Sequence, residues 1–125
     1  MNIKNLSILG STGSIGAQTL DIVRRFPERF RVTALSAGSN ADLMARQMRE
    51  FNPLFVSMSD LAAAEKLEKL LPDFEGSISA GPGGAIEAAV HPQADFVVSA
   101  IVGAAGIEPT YAAIKAGKTV ALANK

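Results

Sequence analysis

The sequence has no cysteine and no tryptophan, a single tyrosine and a single histidine. Without cysteine, these residues can form no disulfide, thiolate nucleophile or Cys-ligated zinc site. Excess charge is also missing: 12 Lys and Arg stand against 12 Asp and Glu, with no basic stripe, which argues against a nucleic-acid partner. Long hydrophobic runs are absent too. The longest, Phe96 to Ile107, is broken by Ser99, Gly103 and Gly106 and falls well short of the ~20 residues a membrane-spanning helix needs. Met1-Asn2-Ile3-Lys4 runs almost directly into apolar sequence and leaves no room for a signal or transit peptide, so the expectation is a soluble, cytoplasmic protein. What is present is aliphatic. Apolar residues make up 48% of 125 residues with few aromatics, enough for one domain with a Val, Ile, Leu and Ala core but not for two.

The organising stretch is Gly10-Ser11-Thr12-Gly13-Ser14-Ile15-Gly16. It follows the apolar run Leu6–Leu9 and precedes a segment in which Ile15, Thr19, Ile22, Val23 and Phe26 recur at helical spacing, the predicted inner stripe of a helix. A strand, a glycine-rich turn and a helix leave a helix N-terminus open to a phosphate. There the free amides and peptide dipoles favour an anion by roughly 0.3–2 kcal/mol. Gly10 is read as permitting the turn off the strand, Gly13 as letting backbone approach a pyrophosphate, and Gly16 as allowing close helix–sheet packing. The spacing, G-x-x-G-x-x-G, is one residue longer in its first gap than the usual dinucleotide fingerprint. Any tight strand–helix turn also favours glycine, so the flanking pattern carries much of the weight.

Alternation continues along the chain. Phe30–Ser36 reads as a strand, Ala37-Gly38-Ser39-Asn40 as a turn, and Asn40 as the N-cap of a helix over 41–51 with Met44, Met48 and Phe51 facing the core. Leu54–Met58 is a third strand, and Ser59-Asp60 caps a helix running to Leu71, with Glu65 and Lys69 as an i,i+4 pair. A short strand over 76–80 is followed by Gly81-Pro82-Gly83-Gly84, a plain connection because no Lys-Ser/Thr follows it. A short helix spans 85–90, and His91, before Pro92, is a solvated loop residue. Phe96–Ala100 is a strand covered on both faces. Beyond Gly103–Gly106, a helix begins near Glu108 with Pro109 in its first turn and Gly117 past its end. Lys118–Ala123 is the last strand. This pattern predicts an α/β, Rossmann-like, doubly wound and mostly parallel sheet with helices on both faces, as a single domain over 1–125.

In such sheets ligands bind beyond the carboxyl ends of the strands. Three ends carry suggestive residues: Gly10–Gly16, Gly38-Ser39-Asn40, and Asn124-Lys125. A dinucleotide laid across them meets its pyrophosphate at the first, its adenine ribose at the second and its nicotinamide side at the third. An acid at the second end would select an unphosphorylated ribose. None stands there, the nearest being Asp42 inside the next helix. Ser39, Asn40 and the helix-start amides suit a 2′-phosphate; an ordinary turn and N-cap is the other reading of the same residues.

Taken together with Ala100-Ile101-Val102-Gly103-Ala104-Ala105-Gly106, Ala113-Ile114-Lys115-Ala116-Gly117-Lys118 and Leu122-Ala123-Asn124-Lys125, these blocks resemble the 1-deoxy-D-xylulose 5-phosphate reductoisomerase family over the whole chain from Leu6. The resemblance implies the NADPH-binding domain of an enzyme of non-mevalonate isoprenoid biosynthesis. That enzyme rearranges 1-deoxy-D-xylulose 5-phosphate and reduces the product to 2-C-methyl-D-erythritol 4-phosphate with NADPH and Mg²⁺ or Mn²⁺. By motif position, Gly10, Thr12, Gly13, Ser14 and Ile15 bind the cofactor phosphates, Gly38, Ser39 and Asn40 the 2′-phosphoribose, Asn124 the cofactor further along, and Lys125 the substrate. Many members carry a basic residue where Ser39 stands. The family's metal ligands, lid and most substrate contacts lie in a part that follows Asn-Lys, so no metal ligand and no catalytic residue is expected here, and the fragment alone is expected to be inactive. Family members are homodimers mainly through that later part, which makes a monomer the expectation for these residues. Two other readings stand beside this one: another NADP-linked dehydrogenase domain, such as aspartate-semialdehyde dehydrogenase, and a non-catalytic NADP(H)-sensing module.

Overall fold

The computed structural model describes residues 2–122. Six strands, β1 (Lys4–Leu9), β2 (Phe30–Ala37), β3 (Phe55–Met58), β4 (Ser77–Ala80), β5 (Phe96–Ser99) and β6 (Thr119–Leu122), form one parallel sheet in the order β4-β3-β2-β1-β5-β6. Helices α1 (Ser14–Arg25), α2 (Ala41–Phe51), α3 (Leu61–Leu70), α4 (Gly84–Ala89) and α5 (Ile107–Lys115) connect them, with a 3₁₀ turn over Gly103–Gly106 before α5. The element order matches the sequence-based expectation; ends move by a residue or two, and Gly103–Gly106 forms a turn of 3₁₀ helix. The last strand is described as far as Leu122, so its predicted end at Ala123 lies outside the described residues.

Two cores share the sheet. On one face Leu6, Ile8, Val32, Leu35, Val56 and Met58 pack with Leu20 and Val23 of α1, Met44 and Met48 of α2, and Leu67 of α3. Leu9, Ala34, Phe55 and Val97 pack on the other with Ala88 and Ala89 of α4 and Ala113 of α5. This second face is built from small residues, and that sets how closely α4 lies. A Cβ on Gly84 would stand 1.9 Å from Ser57 Oγ, and the buried Ser7 hydroxyl donates to the Ala88 carbonyl at 2.7 Å. A short helix can therefore lie flat against β1, β2 and β3 on its way from β4 back across to β5. The extra residue in β2 opposite Leu6 and Ser7 makes a bulge there.

Three local expectations change. The stripe predicted for α1 is out of phase: Gly16, Leu20 and Val23 are buried, whereas Ile22 and Phe26 are exposed. Four apolar residues and Thr19 on a 3.6-residue period cover a wide arc, and only the sheet decides which part of it turns inward. Asp60 is the N-cap of α3 but makes no side-chain bond there, whereas Asn40 caps α2 as expected, its Oδ1 accepting from the Leu43 amide at 3.1 Å. His91 is half-buried rather than solvated, its ring tilted toward Phe55 at 6.2 Å. The loop it occupies is held by Lys118, whose Nζ donates to the carbonyls of His91 at 2.9 Å and Ala94 at 2.7 Å.

Lys118→Met keeps the stem and removes both bonds, and we expect it to lower stability by about 1–2 kcal/mol in urea denaturation. Burial, and secondarily the Lys118 charge, hold the His91 pKa below its usual 6.5. The unfolded chain therefore takes up a proton first as pH falls, so this contribution is complete above about pH 6.5 and is lost below it until the folded imidazole also protonates. Thermal midpoints measured from about pH 8 to about pH 5 should show a decline in the parent that is smaller in His91→Gln. Glu50, whose carboxylate is held below its usual value by the Arg24 hydrogen bond, loses its contribution only in a more acidic window.

Candidate functional site

The winding of the sheet reverses between β1 and β5. β1 to β4 step outward in one direction, and the chain then returns over α4 to place β5 on the free side of β1. At such a reversal the loops leaving two neighbouring strands part company and leave a crevice at the carboxyl edge. Here the crevice is a cleft of about 800 Å³. Gly10, Thr12 and Gly13 line it from β1, Gly38 from β2, and Ile101 and Val102 from β5.

The glycine turn is held from both sides. Gly10 and Ser11 both donate their amides to the carbonyl of Ser36 at the end of β2, at 2.8 and 2.9 Å. Gly10 has φ +81°, and a Cβ there would stand 2.8 Å from the Ala100 carbonyl oxygen. Backbone angle and space both demand glycine. Gly16 demands it for a different reason from the predicted one. Its Cβ would lie 2.2 Å from the Gly10 oxygen and 2.6 Å from Ser11 Cα, so it lets α1 close onto its own turn rather than onto the sheet. Gly13 has φ −77°, which any residue can adopt, and its Cβ would make only an ordinary 3.5 Å contact with the Gly10 oxygen. A side chain at Gly13 would be resisted by whatever occupies the cleft.

The helix start is open. Gly13 donates to Gly10 at 3.2 Å and Ala17 donates to Gly13 at 2.9 Å. Among the described residues, the amides of Thr12, Ser14, Ile15 and Gly16 have no partner, and no side chain caps α1. Unpaired amides at the first turn of a helix form an anion site when they face a cleft. Among the described residues lining that cleft, Glu108 alone carries a charge, so the attraction that these residues offer an anion comes from peptide dipoles.

At the end of β2, Gly38 lines the cleft with open space around its Cα. Ser39 and Asn40 follow as exposed residues, the Ser39 carbonyl accepting the Ala41 amide at 3.0 Å. Asp42 is directed to Lys66 at 3.2 Å. The structure thus brings Gly10, Thr12, Gly13 and Gly38 to one cleft, with Ser14, Ile15, Ser39 and Asn40 at its two helix starts. Asn124 and Lys125 lie outside the described residues. Among the described residues, no group of three or more His, Asp or Glu could hold a metal ion, and no helix is long and apolar enough to cross a membrane.

Sequence reasoning missed three participants. Ser36 contributes a backbone carbonyl, which has no sequence signal. Asp60, whose amide donates to the Gly38 carbonyl at 3.1 Å, stands beside the second strand end through β3–β2 pairing. Gln47, whose Nε2 donates to the Ser11 carbonyl at 2.9 Å, was visible as a polar residue inside the apolar stripe of Ala41, Met44, Ala45 and Met48.

A parallel sheet with this reversal and an open glycine turn at its edge defines a Rossmann-like, dinucleotide-binding class of domain. The family model for 1-deoxy-D-xylulose 5-phosphate reductoisomerase matches residues 6–125, and the chain belongs to that family. It is 54% identical over 123 residues to the 1-deoxy-D-xylulose 5-phosphate reductoisomerase of Chlorobaculum tepidum, covering 98% of this chain and 32% of the relative. Identity to the chloroplastic enzyme of Mentha piperita is 52%, over 98% of this chain and 26% of the relative. Among solved structures, the Zymomonas mobilis enzyme in complex with NADPH superposes with a TM-score of 0.92 at 37% identity, over 98% of this chain and 32% of that one. A DOX-P reductoisomerase in complex with NADPH, fosmidomycin and magnesium gives 0.92 at 40% identity, over 98% and 30%. The chain spans about a third of the length of the relatives it matches. Membership of this family replaces the aspartate-semialdehyde dehydrogenase alternative.

The glycines separate by stability. Gly10→Ala and Gly16→Ala should each cost about 1–3 kcal/mol or more, through strain and overlap with backbone. Gly13→Ala and Gly38→Ala should stay within about 0.5 kcal/mol of the parent. Chemical denaturation of the four variants checks this ordering.

Proposed function

We propose that this chain is the NADPH-binding domain of an enzyme that rearranges and reduces 1-deoxy-D-xylulose 5-phosphate to 2-C-methyl-D-erythritol 4-phosphate. The observation that carries the proposal is the set of amides at Thr12, Ser14, Ile15 and Gly16 that have no partner among the described residues, at a helix start beside the cleft that Thr12 and Gly13 line at the sheet's reversal point. Those amides receive the pyrophosphate, while Gly10 and Gly13 keep the approach free of side chains. Gly38, Ser39 and Asn40 receive the 2′-phosphoribose. Because Asn40 Oδ1 is spent on the Leu43 amide, its Nδ2 is the group left to donate. Bound NADPH supplies the hydride; these residues bind and orient it. Asn124 contacts the cofactor further along and Lys125 the phosphorylated sugar. The described residues offer no fit for Mg²⁺ or Mn²⁺, and no step is assigned here to a metal.

Cofactor choice follows from charge. The Ser39 hydroxyl, the Asn40 carboxamide and backbone amides can each give a charge-assisted bond of roughly 1.5–3 kcal/mol to a 2′-phosphate before desolvation. Asp42 is occupied by Lys66, and Asp60 adjoins this strand end only through its backbone amide on the Gly38 carbonyl. We expect a preference for NADPH over NADH of about ten- to a hundredfold, or about 1.4–2.8 kcal/mol. Ser39→Asp should reverse the order and Ser39→Arg should widen it, as read by calorimetric titration with both cofactors. Equal affinities in the parent, or an unchanged order in Ser39→Asp, would make the second strand end only a turn.

Gly13→Val tests the first strand end. The backbone accepts valine there, and the side chain projects where the pyrophosphate lies, so NADPH affinity should fall by at least about tenfold with only a modest change in thermal midpoint. A folded Gly13→Val variant that binds NADPH as tightly as the parent would refute the site.

A further inference from the structure

Gln47 is 5% exposed on the core side of α2, where its buried neighbours on the helix are Ala41, Met44, Ala45 and Met48. A carboxamide at such a position is costly unless it is bonded. Its Nε2 donates to the Ser11 carbonyl at 2.9 Å, while its Oε1 and the buried Ser11 hydroxyl have no partner among the described residues. The bond to Ser11 is therefore the one hydrogen bond that the Gln47 side chain makes among the described residues. Its target is the backbone at the centre of the glycine turn, 36 positions away in sequence.

The consequence lies on the other side of that peptide. In a planar trans peptide the carbonyl and the following N–H point in opposite directions. Drawing the Ser11 oxygen inward toward Gln47 turns the Thr12 N–H outward, and Thr12 lines the cleft with its amide unpaired among the described residues. No other side chain among the described residues bonds to the backbone of the turn's first three residues, which is otherwise held by the Ser36 carbonyl and by the Gly13 amide on the Gly10 carbonyl.

We propose that Gln47 is a positioning residue, which holds the Ser11–Thr12 peptide so that the Thr12 amide faces the phosphate site, and so ties the two halves of the site together through α2. The affinity part of this inference rests on the NADPH reading above; the orientation of the Thr12 amide does not.

Two variants test it: Gln47→Met, which keeps the volume and loses the donor, and Gln47→Glu, which keeps the shape and sets an acceptor against the Ser11 oxygen. NADPH and adenosine 2′-monophosphate are titrated into each, and the Thr12 amide is followed by ¹H–¹⁵N correlation spectra and hydrogen exchange of the unliganded proteins. We expect NADPH to bind at least about tenfold more weakly to both variants, a change of about 1.4 kcal/mol. The adenosine 2′-monophosphate affinity, which reports the second strand end, should change less than about twofold. In both variants the Thr12 amide should shift and exchange faster. If the parent does not bind NADPH, the functional reading fails, and the Thr12 amide alone decides the role of Gln47. An unchanged Thr12 amide in a folded variant, an equal loss for both ligands, or loss of the fold in both variants would overturn the proposal.

Discussion

The site depends on the crowding of three strand ends around Gly10. The Ser36 carbonyl takes the amides of Gly10 and Ser11, and the Ala100 backbone leaves no room for a side chain at Gly10. These contacts pair the Gly10 and Ser11 amides, while the buried Ser11 hydroxyl has no partner among the described residues. The amides of Thr12, Ser14, Ile15 and Gly16 are left without a partner among the described residues, beside the cleft that Thr12 and Gly13 line. Buried backbone groups must be paired, so an unpaired set persists only where solvent or a ligand reaches it. The proposed anion site is thus what the backbone bonds of the turn leave over.

That crowding requires β5 to lie beside β1, and small residues make it possible. A chain returning from β4 must cross behind β3, β2 and β1 before it can pair again. α4 does so in six residues, pressed so close to the sheet that Gly84 and Ser57 could not both carry larger groups. Ser7, Ala34, Ala88 and Ala89 continue the same thin layer. Bulkier residues here would lift α4 and part β5 from β1, and the crevice would lose one wall. The far face, with Met44, Met48, Leu20 and Leu67, has ordinary depth.

Under the proposed reading, the attraction that the described residues of this cleft offer a phosphate is dipolar. Peptide dipoles act within about the first turn of a helix, so they hold a phosphate already in place more than they draw one from a distance. Precise amide orientation then matters more than net charge, and a buried carboxamide bonded to the turn has a physical use. The same reasoning separates the two strand ends under the proposed NADPH reading: a pyrophosphate would meet backbone amides of the glycine turn, whereas a 2′-phosphate would meet exposed side chains at a helix cap.

Much was legible in the sequence. The strand–helix order, the parallel sheet, the glycine turn and the Asn40 cap follow from local patterns whose causes lie within a few residues: periodicity, proline, glycine and capping chemistry. The residues of the two strand ends were legible for the same reason, since each lies just beyond an apolar run. Which arc of α1 turns inward was not legible, because Ile22 and Phe26 share the helical period with Val23 and only contact with β1 and β2 distinguishes them. Nor was the duty of Gly16, the half-burial of His91, or the place of Asp60 beside Gly38. Each of those depends on a distance between residues that are remote in sequence or folded back on one another. By itself the sequence determined the elements and the open helix start. The tertiary structure decided which amides remained free and which side chain holds them, because hydrogen bonds are settled by pairwise geometry across the sheet, and local pattern carries no record of that geometry.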